Sequence, residues 1–426
     1  MQVKTLLNRV HPVKGFVYEK VTMIDDCSRP NGVRLDVELR PRRNGRGISS
    51  CCCKRGPTYD TQPLRRFDFI PLWGIAVVLV YGQRRVHCPH CDRVSVEWTP
   101  WSHPGSKRPT TIAYACFLAG WAKHLSWQQT ANLFHASWDC VYQSVKQIVD
   151  YGLKRRDLQG ITAIGIDEIQ YKLGHTYLTL VYQISKNCRR LLYISEGRSV
   201  KSLLGFFVML KKSGVHYTAS IRYVCSDMWR PYLKVIARKL PGVIHILDRF
   251  HLVAMLHKAI DEVRATESKR LKDEGYEPHL QHTRWCFLKR KANLTAKQRL
   301  RLADVLRYDL KSVRAYLLKE SFQALWAYTS PMWAGKFLDA WCRSAMRSRL
   351  DPIKKVARSL RKHRQLILNW FVAQKQFNSG IVEGLNANIK LTFRKAYGFR
   401  TFEAVQVALY HQLGKLPEPP LAHRFF

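Results

Sequence analysis

ITAIGIDEIQYKLGHTYLTLVYQISKNCRRLLYIS, residues 161–195, contains three short apolar runs, ITAIGID, TYLTLVYQI and RRLLYIS, separated by Gly-, His-, Lys- and Asn-bearing breaks. Runs of this length, rich in β-branched residues, read as strands, and three in succession can form a meander. YVCSD (223–227) and VIHILD (243–248) repeat the pattern, with helical stretches at 199–211 and 231–239 between them. A meander followed by alternating helix and strand argues for an α/β fold, a mixed sheet with helices on its faces.

Three of these runs finish in an aspartate: Asp167, Asp227 and Asp248. Each carboxylate is expected to emerge at a sheet edge, and in open α/β sheets ligands bind in the crevice beyond the strand ends. Carboxylates brought together repel one another unless a cation sits among them. Mg²⁺ or Mn²⁺ suits such a place, taking oxygen ligands while keeping positions open for water and phosphate. Asp also commonly ends strands and caps helices, so spacing alone leaves both readings open for Asp167 and Asp227.

A third carboxylate is sought in NSGIVEGLNANIKLTFRKAYGFR, residues 378–400. Glu383 follows the breaker Gly380 in the first turn of a helix, and Asn386, Lys390 and Arg394 share its face at i+3, i+7 and i+11. The stripe suits phosphate; a solvated Glu–Lys face has the same spacing.

Lys and Arg number 71 against 31 Asp and Glu, a net charge of +40, which points to a polyanionic partner, with nucleic acid before a membrane surface. The longest apolar run, Phe69 to Tyr81, is broken by Pro71 and Gly74 and falls short of the roughly 20 residues that span a bilayer, so a cytoplasmic chain is expected. Cysteines there stay reduced, and clustered ones suggest metal before disulfide. Residues 1–105 read as a β-rich module with strand-like pieces at 33–40 and 75–88, followed at once by CPHC, Cys88 to Cys91. With Cys51, Cys52 and Cys53 upstream, four sulfurs would make a tetrahedral Zn²⁺ site; incidental buried thiols are the alternative.

The pattern turns helical at Thr111. Ser126 and Gln129 have capping-box spacing for a short helix through Phe134. Ser137 can cap a second helix that buries Trp138, Val141, Tyr142, Val145, Ile148 and Val149. The pair suits a helix-turn-helix offering Gln143 and Lys146 to DNA, although any helical domain carries such pairs. Residues 250–375 are helical and basic, and two more helices meet near Gly398.

Together GIDEIQYKLGHTYLTLVYQI, VCSDMWRPYLKVI, HILDRFHLVAMLHKAIDEVR, TRWCFLKRKANLT and SGIVEGLNANIKLTFRKAYGFRTF resemble the bacterial insertion-sequence DDE transposases of the ISL-three group, over nearly the whole chain. The resemblance implies a ribonuclease-H-like mixed sheet with a helical insertion, preceded by a small zinc-binding-like module and a helix-turn-helix. The segments are then 1–105 for DNA recognition, 106–155 for the helix-turn-helix, 156–250 and 376–426 for the catalytic domain, and 251–375 for the insertion. It places the catalytic acids on Asp167, Asp227 and Glu383; 227 is 60 beyond 167, and 383 is 156 beyond 227, room for an insertion. Asp248 and His251 match a supporting DxxH element. The implied cofactors are Mg²⁺ or Mn²⁺, with Zn²⁺ on Cys52, Cys88 and Cys91. The implied partners are double-stranded DNA, as terminal inverted repeats and target, and further copies of the chain; a non-catalytic regulator and a structure-specific nuclease are the rival readings. The first zinc knuckle falls on Ser49 and Cys52, so a hydroxyl replaces one thiolate, leaving Cys51 or Cys53 as substitutes, or no metal.

Overall fold

The computed structural model describes residues 2–29, 31–102, 108–172, 174–377 and 380–420. The chain forms two compact units, residues 1–157 with 391–426, and residues 158–390. The first opens with α1 (Val3–Val10), then β1 (Phe16–Asp25), β2 (Val33–Pro41), β3 (Gly47–Ile48), β4 (Arg55–Gly56), β5 (Thr58–Leu72), β6 (Ile75–Cys88) and β7 (Arg93–Val96). Its main sheet runs β1-β2-β6-β5 with β7 on β6. Alternation along β5 and β6 sends Phe67, Phe69, Val77, Leu79 and Tyr81 into one core with Trp101. α2 (Ile112–His124), α3 (Trp127–Leu133) and α4 (Trp138–Arg155) follow. Ser126 and Gln129 close a full capping box on α3, and the Ser137 hydroxyl accepts from the Cys140 amide to cap α4. Trp138, expected in the buried stripe of α4, is instead 44% exposed. It stacks on Tyr142, ring centroids 5.4 Å apart, and meets Trp127 edge-on, because at the first turn of the helix a wide ring finds an aromatic neighbour before it finds the core.

The second unit begins with the meander β8 (Ala163–Lys172), β9 (Thr176–Ser185) and β10 (Cys188–Glu196). α5 (Val200–Lys212), the short α6 (Tyr217–Ser220), β11 (Tyr223–Ser226), α7 (Arg230–Lys239) and β12 (Ile244–Leu247) complete a five-stranded sheet of order β10-β9-β8-β11-β12. The first three strands pair antiparallel; β8–β11 and β11–β12 are parallel. A helical region follows: α8 (Arg249–Asp273), α9 (Arg284–Leu288), α10 (Ala296–Val305), α11 (Lys311–Gln323), α12 (Pro331–Arg347), α13 (Asp351–Lys362) and α14 (Arg364–Val372). The chain ends in α15 (Gly380–Lys395) and α16 (Phe402–Leu413), separated by a turn in which Gly398 has φ +97°. Among the described residues no helix is long and apolar enough to cross a membrane.

Period-two alternation on β8 decides what each face meets. Ile164 and Ile166 enter a core with Leu203, Phe206, Phe207, Leu210, Tyr232 and Ile236 from α5 and α7; burying such a side chain contributes roughly 1.5–3 kcal/mol. Gly165 and Asp167 face the other way, toward α15. The absent side chain at Gly165 lets that helix approach: a Cβ there would lie 2.7 Å from Val382 Cγ2 and 3.1 Å from Ile184 Cγ2. Gly165→Val therefore overpacks the contact and displaces α15 while satisfying strand propensity. The expected result is a loss of about 1–3 kcal/mol in stability, read from the urea midpoint, with the β-sheet circular dichroism retained.

Candidate active site

The parallel register brings the aspartates level. β11 pairs with β8 at Tyr223–Ala163, Val224–Ile164 and Cys225–Gly165, and with β12 up to Ser226–Leu247. Continued two residues past the β8 ladder and one past the β12 ladder, the same register sets Asp227 beside Asp167 and Asp248, with strands about 4.8 Å apart. Asp227 and Asp248 follow the last residues of their strands, as their sequence suggests. Asp167 does not end β8, which runs on to Lys172 because its hairpin with β9 continues to Thr176. The carboxylate still emerges at the crevice, since β8 overruns its parallel neighbour.

Each acid is held by identified donors. Asp167 accepts from the Glu168 amide at 2.8 Å and from Asn386 Nδ2 at 2.5 Å. Asn386 in turn accepts from the Tyr182 hydroxyl at 2.7 Å; Tyr182 is fully buried and sits opposite Gly165 in the β8–β9 register. Asp227 accepts from the Trp229 amide at 3.0 Å. Asp248 caps α8 through the Phe250 amide and pairs with His251 Nδ1 at 2.6 Å. Burial raises the carboxyls of Asp167 and Asp227 above their ordinary value, partly offset by backbone amides and by His251. The His251 imidazole, bonded to Asp248 and facing all three aspartates, is pushed up to about 9. Glu168, on the opposite face of β8, is raised to about 7 by burial and then by Asp227; one of its carboxylate oxygens is buried without a hydrogen-bond partner, and Arg198 lies 3.7 Å from the other.

Asp167, Asp227, Asp248 and Arg249 line a cleft with Trp370, Phe377 and Val382 whose cavity of about 20 Å³ admits a water-sized species. Half-buried carboxylate oxygens beside such a space fit a hard divalent cation, which Asp167 and Asp227 would hold. Glu383 is exposed in the first turn of α15, one turn before the Asn386 that binds Asp167. Among the described residues no three of Asp167, Asp227, Asp248, His251 and Glu383 bring their ligand atoms within 4.8 Å of one another, and Glu383 has no hydrogen bond or ion pair there. Asn378 and Ser379, which open the motif containing it, lie outside those residues. Asn386 was anticipated only as a member of the α15 stripe. Tyr182 carries no signal in the sequence, since β9 holds other hydroxyls at Thr176, Tyr177, Thr179 and Ser185.

The remaining candidates divide. Lys390 and Arg394 are exposed on α15. Lys146 pairs with Glu403, and Gln143 donates to Asp139 at 3.3 Å, both contacts lying on the solvent side of α4. Cys52, Cys88 and Cys91 converge, with ligand atoms all within 4.8 Å and the Cys52 and Cys88 sulfurs 3.1 Å apart. The hydrogen bond with Cys52 lowers the Cys88 thiol, while burial and the two neighbouring sulfurs raise that of Cys91, so the three share protons unevenly when no cation sits among them. Neither Cys51 nor Cys53 joins this group. Ser49 is buried, its hydroxyl 2.7 Å from that of Ser95.

A mixed sheet bringing paired aspartates to one edge, with a helix from the far end of the chain docked on the first of them, has the form of a metal-dependent nucleotidyl-transfer enzyme. Residues 164–409 match the transposase family model of the DDE type, ISL3 group, and the chain belongs to that family. It is 27% identical to the transposase for insertion sequence element IS1001 of Bordetella parapertussis, over 92% of this chain and 93% of that one. It is 28% identical to the transposase for insertion sequence element IS1557 of Mycobacterium tuberculosis, over 95% and 96%. A solved Drosophila P element transposase strand transfer complex aligns with a TM-score of 0.37 at 11% identity, over 72% of this chain and 92% of that chain. Tyr182→Phe strips the partner from Asn386, and loss of such an outer support typically costs about 10- to 100-fold in metal affinity. Mn²⁺ titration followed by electron paramagnetic resonance is expected to show a loss of about tenfold, with the melting temperature lowered only slightly.

Proposed function

We propose that this transposase binds the terminal inverted repeats of its insertion sequence and cleaves and transfers DNA strands with Asp167, Asp227 and Glu383, on a sheet of ribonuclease-H-like order. The observation that carries the reading is the placement of Asp167 and Asp227 level on neighbouring parallel strands, with α15 anchored on Asp167 through Asn386. Glu383 lies one turn from that anchor, at the i, i+3 spacing of neighbouring side chains, and would turn toward the cleft to join the aspartates.

Bound Mg²⁺ or Mn²⁺ would neutralise phosphate charge and activate the attacking oxygen, water in cleavage and a 3′-hydroxyl in transfer. The work of the chain is placement. Asn386 and the Glu168 amide fix the orientation of the Asp167 carboxylate, and the Trp229 amide fixes that of Asp227. In this reading His251, held by Asp248, supplies positive charge among the acids. Lys390 and Arg394, exposed further along α15, offer cations to the DNA backbone. In this reading residues 1–105, with Zn²⁺ on Cys52, Cys88 and Cys91, and the helices of 106–155 recognise the repeat ends. Joining two ends calls for more than one copy of the chain, acting on chromosomal DNA in the cytoplasm.

The test uses DNA carrying the cognate repeats with Mg²⁺ or Mn²⁺. Asp167→Asn and Glu383→Gln are each expected to lower cleavage by at least about a thousandfold while repeat binding survives. Cleavage at the parental rate by either variant removes that residue from the catalytic set. Cleavage by the parent without strand transfer favours a nuclease.

A further inference from the structure

A second cavity, of about 470 Å³, lies in the helical region between the first turns of α8 and the α9–α11 wall. It is lined by Arg249, Val253 and His257, a stripe at i, i+4 and i+8 of α8, and on the other side by Arg290, Lys291 and Lys319, with one carboxylate, Glu320, beside Lys319. Arg249 also lines the acidic cleft, so the two spaces meet at that residue. The volume falls in the range, roughly 300–1,000 Å³, of sites that enclose a single small ligand or a short piece of a larger one.

The wall is built in advance. Lys319 is 2% exposed, yet its ammonium donates to the carbonyl oxygens of Phe287 at 2.7 Å and Lys289 at 3.3 Å and pairs with Glu320 at 2.7 Å. This buried cation ties the turn after α9 to α11 and so presents Arg290 and Lys291, both exposed and without an ion pair among the described residues. The Arg249 guanidinium stands over the rings of Trp326 and Trp370, at 5.3 and 5.5 Å, and has no carboxylate partner among the described residues. Trp326 has Arg249 over its ring and lies parallel to Phe371, so its ring already has partners. Arg290 and Lys291 offer the groove charge that is unpaired among the described residues, the chemistry of backbone rather than sequence recognition.

We propose that this groove holds the phosphodiester backbone of a single DNA strand continuing from the scissile phosphate, with Arg290 and Lys291 each neutralising one phosphate and Arg249 marking the passage to the acids. The proposal rests on the DNA-processing reading above and adds to it the path of one strand.

The experiment measures fluorescence anisotropy of the full chain, without divalent metal and at several salt concentrations. The probes are a labelled blunt duplex and the same duplex carrying a short single-stranded 3′ extension. The parent is expected to bind the extended duplex more tightly. Arg290→Ala combined with Lys291→Ala is expected to weaken binding of the extended duplex by about tenfold and to flatten its log–log salt slope by about 1.4, at about 0.7 per single-strand phosphate. Blunt-duplex affinity should change less than about twofold. Lys269→Ala combined with Lys297→Ala, which removes two exposed cations from α8 and α10 outside the groove lining, should leave the preference for the extension intact. Equal effects of the two double variants, or an equal loss on both probes, overturn the groove while leaving the catalytic reading standing. A parent that binds neither probe overturns both.

Discussion

Two aspartates a single strand spacing apart, half-buried at the edge of a sheet, repel each other, and much of the second unit is arranged to answer that repulsion. The parallel register of β8, β11 and β12 creates the problem by bringing Asp167, Asp227 and Asp248 level. Backbone amides, Asn386 and the raised imidazole of His251 offset part of it. A divalent cation would offset the rest, which is why burial can raise these carboxyls without excluding them from use.

The anchor of α15 links residues 219 positions apart in the chain. Gly165 permits the approach, Val382 fills the space, and Tyr182 and Asn386 convert it into a directed hydrogen-bond chain ending on Asp167. The helical region is joined to the same sheet from another side, since Asn369 on α14 donates to the carbonyl of His245 on β12 at 2.8 Å.

Much of this was legible in the sequence wherever periodicity and punctuation are local. The five strands of the second sheet, the caps at Ser126 and Ser137, and the break at Gly398 all lie where the residue pattern places them. The level register of the acids was not legible, because it depends on which strands pair and in what direction. Asp167 reads as a strand terminus because a charged pair, Asp167 and Glu168, interrupts an apolar run; in the sheet the hairpin partner carries the strand past it. Tyr182 and Gly165 acquire meaning only once they face each other across two strands. The pairing of Lys146 with Glu403 joins helices over 250 residues apart, which no local stripe announces.

The convergence of the acids on one cation is tested most directly by replacing Mg²⁺ with Fe²⁺, adding ascorbate and peroxide, and mapping the sites of polypeptide scission by mass spectrometry. Hydroxyl radicals released at the ion cut only nearby backbone, so scission is expected around residues 167, 227 and 383 and should disappear in excess Mg²⁺. Scission near 167 and 227 with none around 383 would contradict a three-acid centre.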